Sequence, residues 1–189
     1  RIDKEEVDLI AVAENSYEAI RPSAEAKNIE FNFSSESEAI MIEGDATRLH
    51  QIIGNLLQNA VKFTPEGGKI DISLKNTGRQ ARLTVKDTGI GIESEVLPFI
   101  FERFRQADAS TRRSFSGLGL GLTIVSNLVE LHGGAIKAES GGKNLGTAFI
   151  VELPVIGKYQ EQNSGENSMK PNNSDLHGAK ILLVDDDAD

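Results

Sequence analysis

Apolar residues recur at helical spacing near the start of the chain. Val7, Ile10, Ala11, Ala13, Tyr17 and Ile20 predict an amphipathic helix over about residues 5–27. Pro22 lacks the amide that a helix interior needs, so it predicts a kink or interruption there. The period then changes to two. Residues 29–33 alternate as a strand would, and residues 39–42 form a second short apolar run. Asp45 stands just before a second helical pattern of Leu49, Ile52, Ile53, Leu56, Leu57, Ala60 and Val61. It predicts the N-cap of a helix reaching Val61 or Lys62. Pro65, Gly67 and Gly68 then make a turn. Ile70, Ile72 and Leu74 alternate before Asn76–Gly78, and Ala81, Leu83 and Val85 alternate after it, which predicts an antiparallel hairpin.

Residues 87–121 break this regularity. They carry Gly89, Gly91, Gly117, Gly119 and Gly121, with only a short helix predicted near residues 94–100. A loop this long inside a compact domain is usually functional or mobile. A third helix is predicted from about Leu120 to Leu131, closed by Gly133–Gly134. Strands at 135–139 and 147–153 complete a sheet. The order of elements is not the regular alternation of a doubly wound fold. It predicts a two-layer α/β sandwich, a mixed sheet with helices on one face. The organisation expected is a domain over 1–156, a polar linker over 157–178, and a second domain begun at 179–189. In that last piece Ile181, Leu182, Leu183 and Val184 read as a buried strand, followed by Asp185, Asp186 and Asp187. The Arg1 start reads as that of an excised piece, with residues 1–5 trailing from a preceding domain.

Composition narrows the chemistry. The chain has 29 acidic and 20 basic residues, a formal net charge of −9, which argues against nonspecific nucleic-acid binding. There is no cysteine, so thiol catalysis, disulfides and Cys-based zinc sites are excluded. No apolar run approaches the length of a membrane span.

Three groups of residues can carry chemistry. Asn55, Asn59 and Lys62 lie at i, i+4 and i+7 on one face of the second helix. Two amide oxygens and an ammonium suit Mg²⁺ and phosphate, although a solvated polar face has the same spacing. DTGIGI (87–92) follows a strand directly. A strand-end carboxylate can accept from the amine of adenine, and glycines let backbone approach a ligand; a capped turn fits the pattern equally. GLGLGL (117–122) leads into a helix, where free N–H groups and the helix dipole favour phosphate. It matches neither the Walker A pattern nor G-x-G-x-x-G. Between the last two, Arg103, Arg105, Arg112 and Arg113 make residues 101–121 locally basic, as a lid over a polyphosphate would be. Phe101 and Phe104 are read as anchoring that lid.

The order and spacing of these segments resemble the ATP-binding catalytic domain of sensor histidine kinases, in the GHKL superfamily shared with DNA gyrase. DATRLHQIIGNLLQNAVKFTPEGG (45–68) resembles the N box. DTGIGI looks like the G1 box, FERFRQAD (101–108) the F box, and GLGLGL the G2 box, the likeness extending over about residues 7–154. The resemblance implies that Asn59 coordinates Mg²⁺ with Asn55 in support, and that Lys62 contacts phosphate. It implies that Phe63 lies at the adenine and that Asp87 accepts from the adenine amine. Gly89, Gly91 and Ile92 would shape the base pocket, with Phe104 beside it. Gly117, Leu118, Gly119, Leu120, Gly121 and Leu122 would form the lid hinge and phosphate approach, and Thr147 the pocket floor. Many histidine kinases place an arginine where Gln106 stands. Arg105 is then the candidate for the γ-phosphate, with Arg103, Arg112 and Arg113 as alternatives. LLVDDDAD (182–189) resembles the start of a receiver domain, which implies a hybrid kinase parent.

The implied activity is transfer of the γ-phosphoryl group of Mg-ATP to a histidine on a separate dimerisation domain. Hydrolytic relatives carry a water-activating Glu where this chain has Asn55, and a neutral amide is a very poor general base. His50, His132 and His177 lack the setting of an acceptor histidine, so the chain alone is expected not to autophosphorylate. The implied partners are the dimerisation domain and a receiver in cis. The implied setting is cytoplasmic, compatible with a membrane anchor elsewhere in the parent. A serine kinase of the same superfamily and a non-catalytic docking module are the competing readings.

Overall fold

In the computed structural model the residues described are 2–102 and 121–156, all within one unit, Arg1–Tyr159. Arg105, Phe104, Gly117, Leu118, Gly119, Leu120, the linker and the receiver-like tail lie outside them.

Among the described residues, the elements begin with strand β1 (Glu5–Asp8), helix α1 (Leu9–Glu25), strands β2 (Glu30–Ser35) and β3 (Met41–Gly44), and helix α2 (Ala46–Phe63). Strands β4 (Lys69–Asn76) and β5 (Gln80–Asp87) follow, then a single 3-10 turn at Leu97–Phe99. Helix α3 (Gly121–Leu131) and strands β6 (Ala135–Ser140) and β7 (Thr147–Pro154) complete the order. Five strands form a sheet in the order β2-β4-β5-β7-β6, in which β2 and β4 run parallel and the other pairs antiparallel. β1 and β3 form a separate two-stranded sheet.

The expected sandwich is present, and alternation along the strands explains it. Ile70, Ile72 and Leu74 of β4, Ala81, Leu83 and Val85 of β5, and Phe149, Val151 and Leu153 of β7 are buried on one face. Register places these nine residues side by side: Ile72 opposes Val85, which opposes Phe149. The opposite face carries Lys69, Asp71, Arg82, Lys86 and Glu152, with ion pairs such as Lys69–Asp71 and Arg82–Glu152. The helices therefore have only one apolar face to cover. The apolar stripe of α2 is buried throughout, in agreement with its sequence pattern, and lies between α1 and α3.

The first helix differs from expectation. Residues 5–8 are a strand rather than the opening of a helix, with Val7 opposite Ile42. The Asp8 carboxylate accepts from Ile10 N at 3.0 Å and from Ile40 N at 3.1 Å, so it caps α1 and ties it to the segment before β3. A side-chain cap at Asp8 fixes the first helical turn after it. The buried stripe is Leu9, Ile10, Val12, Ala13 and Ser16, while Ala11 is exposed. Pro22 does not interrupt α1, which runs to Glu25. The short helix expected near 94–100 contracts to the 3-10 turn around Pro98.

His132, at the end of α3, joins that helix to the start of α2. Its Nδ1–H donates to Leu128 O at 2.7 Å, and its Nε2 accepts from Asp45 N at 3.1 Å. Both bonds require the neutral ring with its proton on Nδ1.

Leu56, with no exposure at all, lies in the middle of the α2 stripe. Leu56→Ala is expected to lower unfolding free energy by about 3 kcal/mol, read from urea denaturation with an unchanged m-value. A loss below about 1 kcal/mol would contradict this packing.

Candidate functional site

Helix α2 and the C-terminal end of β5 meet at one end of the sandwich. Asn55, Asn59 and Lys62 are half-buried on α2, beside its fully buried stripe. The Asn55 and Asn59 amides make no side-chain hydrogen bond among the described residues, so their oxygens are available to a ligand. The Lys62 ammonium lies 5.2 Å from the centroid of the Phe63 ring. The last turn of α2 is held from outside. Lys27 Nζ donates to Val61 O and Thr64 O, both at 2.6 Å, which places a cation at the negative end of the helix dipole.

Asp87 is the last residue of β5 and shares its face with Ala81, Leu83 and Val85. A carboxylate thus stands at the end of an apolar row, with 5% exposure. Its Oδ1 accepts from Gly89 N at 2.8 Å and from Thr147 N at 3.2 Å. Burial pushes the carboxyl above its ordinary range, against those two hydrogen bonds. Its Oδ2 makes no hydrogen bond to a described residue and remains an acceptor. Thr147 is directly opposite Asp87 in the sheet and equally buried, beneath the same end of the sandwich.

Residues 88–92 run between the end of α2 and the turn joining β6 to β7. On one side Ile90 N donates to Phe63 O at 3.2 Å. On the other, Gly146 N donates to Gly89 O at 3.1 Å and Asn144 N to Ile90 O at 2.6 Å. Ile92 N donates to the Ser140 hydroxyl at 2.9 Å. Two glycines have a steric role that is visible directly. A Cβ on Gly89 would collide with Phe63 O and the Asp87 carboxylate. Gly91, with φ +69°, lies against Gly142 O. Beyond this segment Phe101 packs edge-on against Phe149, with centroids 6.4 Å apart. Phe101 thus packs on the sheet, and the segment it was expected to anchor lies outside the described residues.

The described bonds thus bring Asp87, Gly89 and Thr147 together and join the 88–92 segment to Phe63, the last residue of the helix that carries Asn55, Asn59 and Lys62. Gly121 and Leu122 open α3, which packs on α2. Lys27, Ser140 and Gly146 were not singled out by sequence pattern. Their significance is positional: Lys27 caps a helix 34 residues away, and a Cβ on Gly146, at φ +71°, would meet the Asp87 carbonyl. The turn-type residues that could have marked this position are Gly141, Gly142, Asn144 and Gly146.

Known proteins share this sequence and fold. Residues 44–156 match the family described as histidine kinase-, DNA gyrase B- and HSP90-like ATPase. Hybrid signal transduction histidine kinase D of Dictyostelium discoideum is 39% identical over 182 residues, covering 80% of this chain and 12% of that protein. Autoinducer 2 sensor kinase/phosphatase LuxQ of Vibrio vulnificus (strain YJ016) is 39% identical over 187 residues, covering 95% of this chain and 21% of that protein. A solved structure of full-length ShkA in complex with AMPPNP superposes with a TM-score of 0.72 at 34% identity, covering 84% of this chain and 32% of that one. The chain belongs to the histidine kinase-, gyrase B- and HSP90-like ATPase family, and its relatives place it among the catalytic domains of histidine kinases. It spans no more than about a fifth of the length of those two curated relatives. Among the described residues no helix is long and apolar enough to cross a membrane.

The raised Asp87 carboxyl has a consequence for stability. A native-state value above the unfolded one favours the protonated form, so stability is lost as pH rises through the raised value. Asp87→Asn keeps the acceptor for Gly89 N and Thr147 N and removes the buried charge. Without nucleotide it is expected to unfold at higher urea than the parent at neutral pH, the gap closing towards about pH 4. An equal or lower midpoint at neutral pH would count against a burial cost at Asp87.

Proposed function

We propose that this domain binds Mg-ATP and presents its γ-phosphoryl group to a histidine on a separate dimerisation domain, in a two-component phosphorelay. The observation that carries the reading is the buried Asp87 carboxylate, oriented by two backbone N–H groups through one oxygen and left with the other as an acceptor. An exocyclic amine is the matching donor. Gly89, Gly91 and Ile92 form one wall of the base pocket and Thr147 its floor, with Phe63 at the end of α2 against the base. The AMPPNP complex of ShkA is consistent with a nucleotide at the corresponding fold.

The phosphates extend along α2. Asn59, supported by Asn55, would hold the divalent cation, since both amides are half-buried and lack side-chain partners among the described residues. When bound, Mg²⁺ would supply neutralisation of phosphate charge. Lys62 meets a phosphate oxygen. Arg105 is assigned to the γ-phosphate, Phe104 to the base side, and Gly117, Leu118, Gly119, Leu120, Gly121 and Leu122 to phosphate approach. The protein's contribution is positioning and charge. At residue 55 it offers an amide rather than a carboxylate, so no side chain there activates water, and ATP is held for an external nucleophile. The reading assigns residues 1–156 to this domain, 157–178 to a linker and 179–189 to the start of a receiver, with a cytoplasmic setting and a dimeric parent. Similarity to a hybrid kinase supports the receiver in cis.

Calorimetric titration with ADP and AMPPNP, with and without Mg²⁺, tests the nucleotide site. The parent chain is expected to bind both, with affinity altered by Mg²⁺. Asp87→Asn is expected to weaken binding by at least about tenfold. No binding by folded parent protein would favour a docking module instead. Adding the dimerisation domain and labelled ATP should then give acid-labile phosphate. Acid-stable phosphate would indicate a serine kinase, and label on the isolated chain would remove the need for a separate acceptor.

A further inference from the structure

Ser140 closes β6, directly opposite Thr147, the first residue of β7. Its hydroxyl is used completely. It accepts from Ile92 N at 2.9 Å and Gly142 N at 3.3 Å, and donates to Gly146 O at 2.7 Å. One proton and two lone pairs are the whole capacity of a hydroxyl. The bonds tie two segments distant in sequence, 88–92 and 141–147. Those segments also meet through Gly146 N to Gly89 O and Asn144 N to Ile90 O, which are backbone contacts. Two side chains also bond across this seam, Ser140 through Ile92 N and Asp87 through Thr147 N.

The seam matters because of what it orients. The two donors that hold Asp87 Oδ1 lie one on each side of it: Gly89 N on the first segment, Thr147 N on the second. Their separation sets the direction of the carboxylate and of its remaining oxygen. We infer that Ser140 is a positioning residue for base recognition, pinning the two segments so that the Asp87 carboxylate points at an amine donor. The inference rests on the nucleotide reading above. Ser140 touches no reacting atom and acts through Asp87. Loss of its hydroxyl leaves Ile92 N, Gly142 N and Gly146 O without that partner and frees the far end of the 88–92 segment.

Two measurements on the whole chain test this, with Ser140→Ala and Ser140→Thr. Amide hydrogen exchange without nucleotide reads the seam. In Ser140→Ala the amides of Ile92, Asn144 and Gly146 are expected to exchange about tenfold faster, while those of Leu83 and Val151 in the sheet centre stay unchanged. Calorimetry with ADP and GDP reads the consequence. The alanine variant is expected to lose about tenfold in ADP affinity with a smaller change for GDP, so that base preference narrows. Threonine, which restores the hydroxyl, is expected to return both readouts towards the parent. ADP binding by the parent that is unaltered in Ser140→Ala overturns the role of Ser140 alone. Equal acceleration at Leu83 and Val151 makes Ser140 a general stabiliser and also overturns it. Absence of ADP binding by the parent overturns the nucleotide reading, and the base-positioning role with it, whatever the exchange shows.

Discussion

A charged group at the end of an apolar row is the constraint around which this domain is arranged. Side chains of β5 alternate strictly, so Asp87 must fall on the helix-covered face with Ala81, Leu83 and Val85. A buried carboxylate is tolerated where hydrogen bonds meet it. Here they come from the main chain, Gly89 N after the strand and Thr147 N opposite it. The glycines nearby follow from the same need. Backbone must approach closely enough to reach one oxygen, and at Gly89 and Gly146 a side chain would occupy that space.

The surrounding packing makes the arrangement rigid. Helix α2 is held at both ends by groups from elsewhere in the chain. His132 bonds its N-cap backbone, and Lys27 bonds the carbonyls of its last turn. Its buried stripe locks rotation about its own axis, so Asn55, Asn59 and Lys62 are presented in a fixed direction. The segment after Asp87 is in turn bonded to the end of α2 through Phe63 O and to the β6–β7 turn through Gly89 O and Ile90 O. Helix, strand end and turn therefore form one connected frame, in which a nucleotide's base and phosphates would meet groups from different elements.

Membership of the histidine kinase-, gyrase B- and HSP90-like ATPase family accords with this frame. One helical turn before Asn59, the amide proposed to hold the metal, stands Asn55. Asn55 is neutral here, and a neutral amide neither takes a proton from water nor repels phosphate. Under the proposed reading, the same scaffold would hold ATP for an external acceptor.

Much of this was legible in the residues. Periodicity located the α2 stripe and both strands of the β4–β5 hairpin, because a one-faced core imposes periods of 3.6 and 2 on the chain. Spacing alone put Asn55, Asn59 and Lys62 on one face, and the strand-end position singled out Asp87. Whatever depends on pairing at a distance became visible in the folded chain alone. Val7 carries the same apolar signal in a helix or a strand, and its pairing with Ile42 made β1 a strand. Pro22 remained inside α1. Lys27, His132 and Ser140 are unremarkable in sequence, since a lysine, a histidine and a serine occur on any surface. Their roles come from partners 34, 87 and 48 residues away. The physical reason is that periodicity records which face of an element is buried, whereas a single hydrogen bond between segments leaves no repeating trace in the chain.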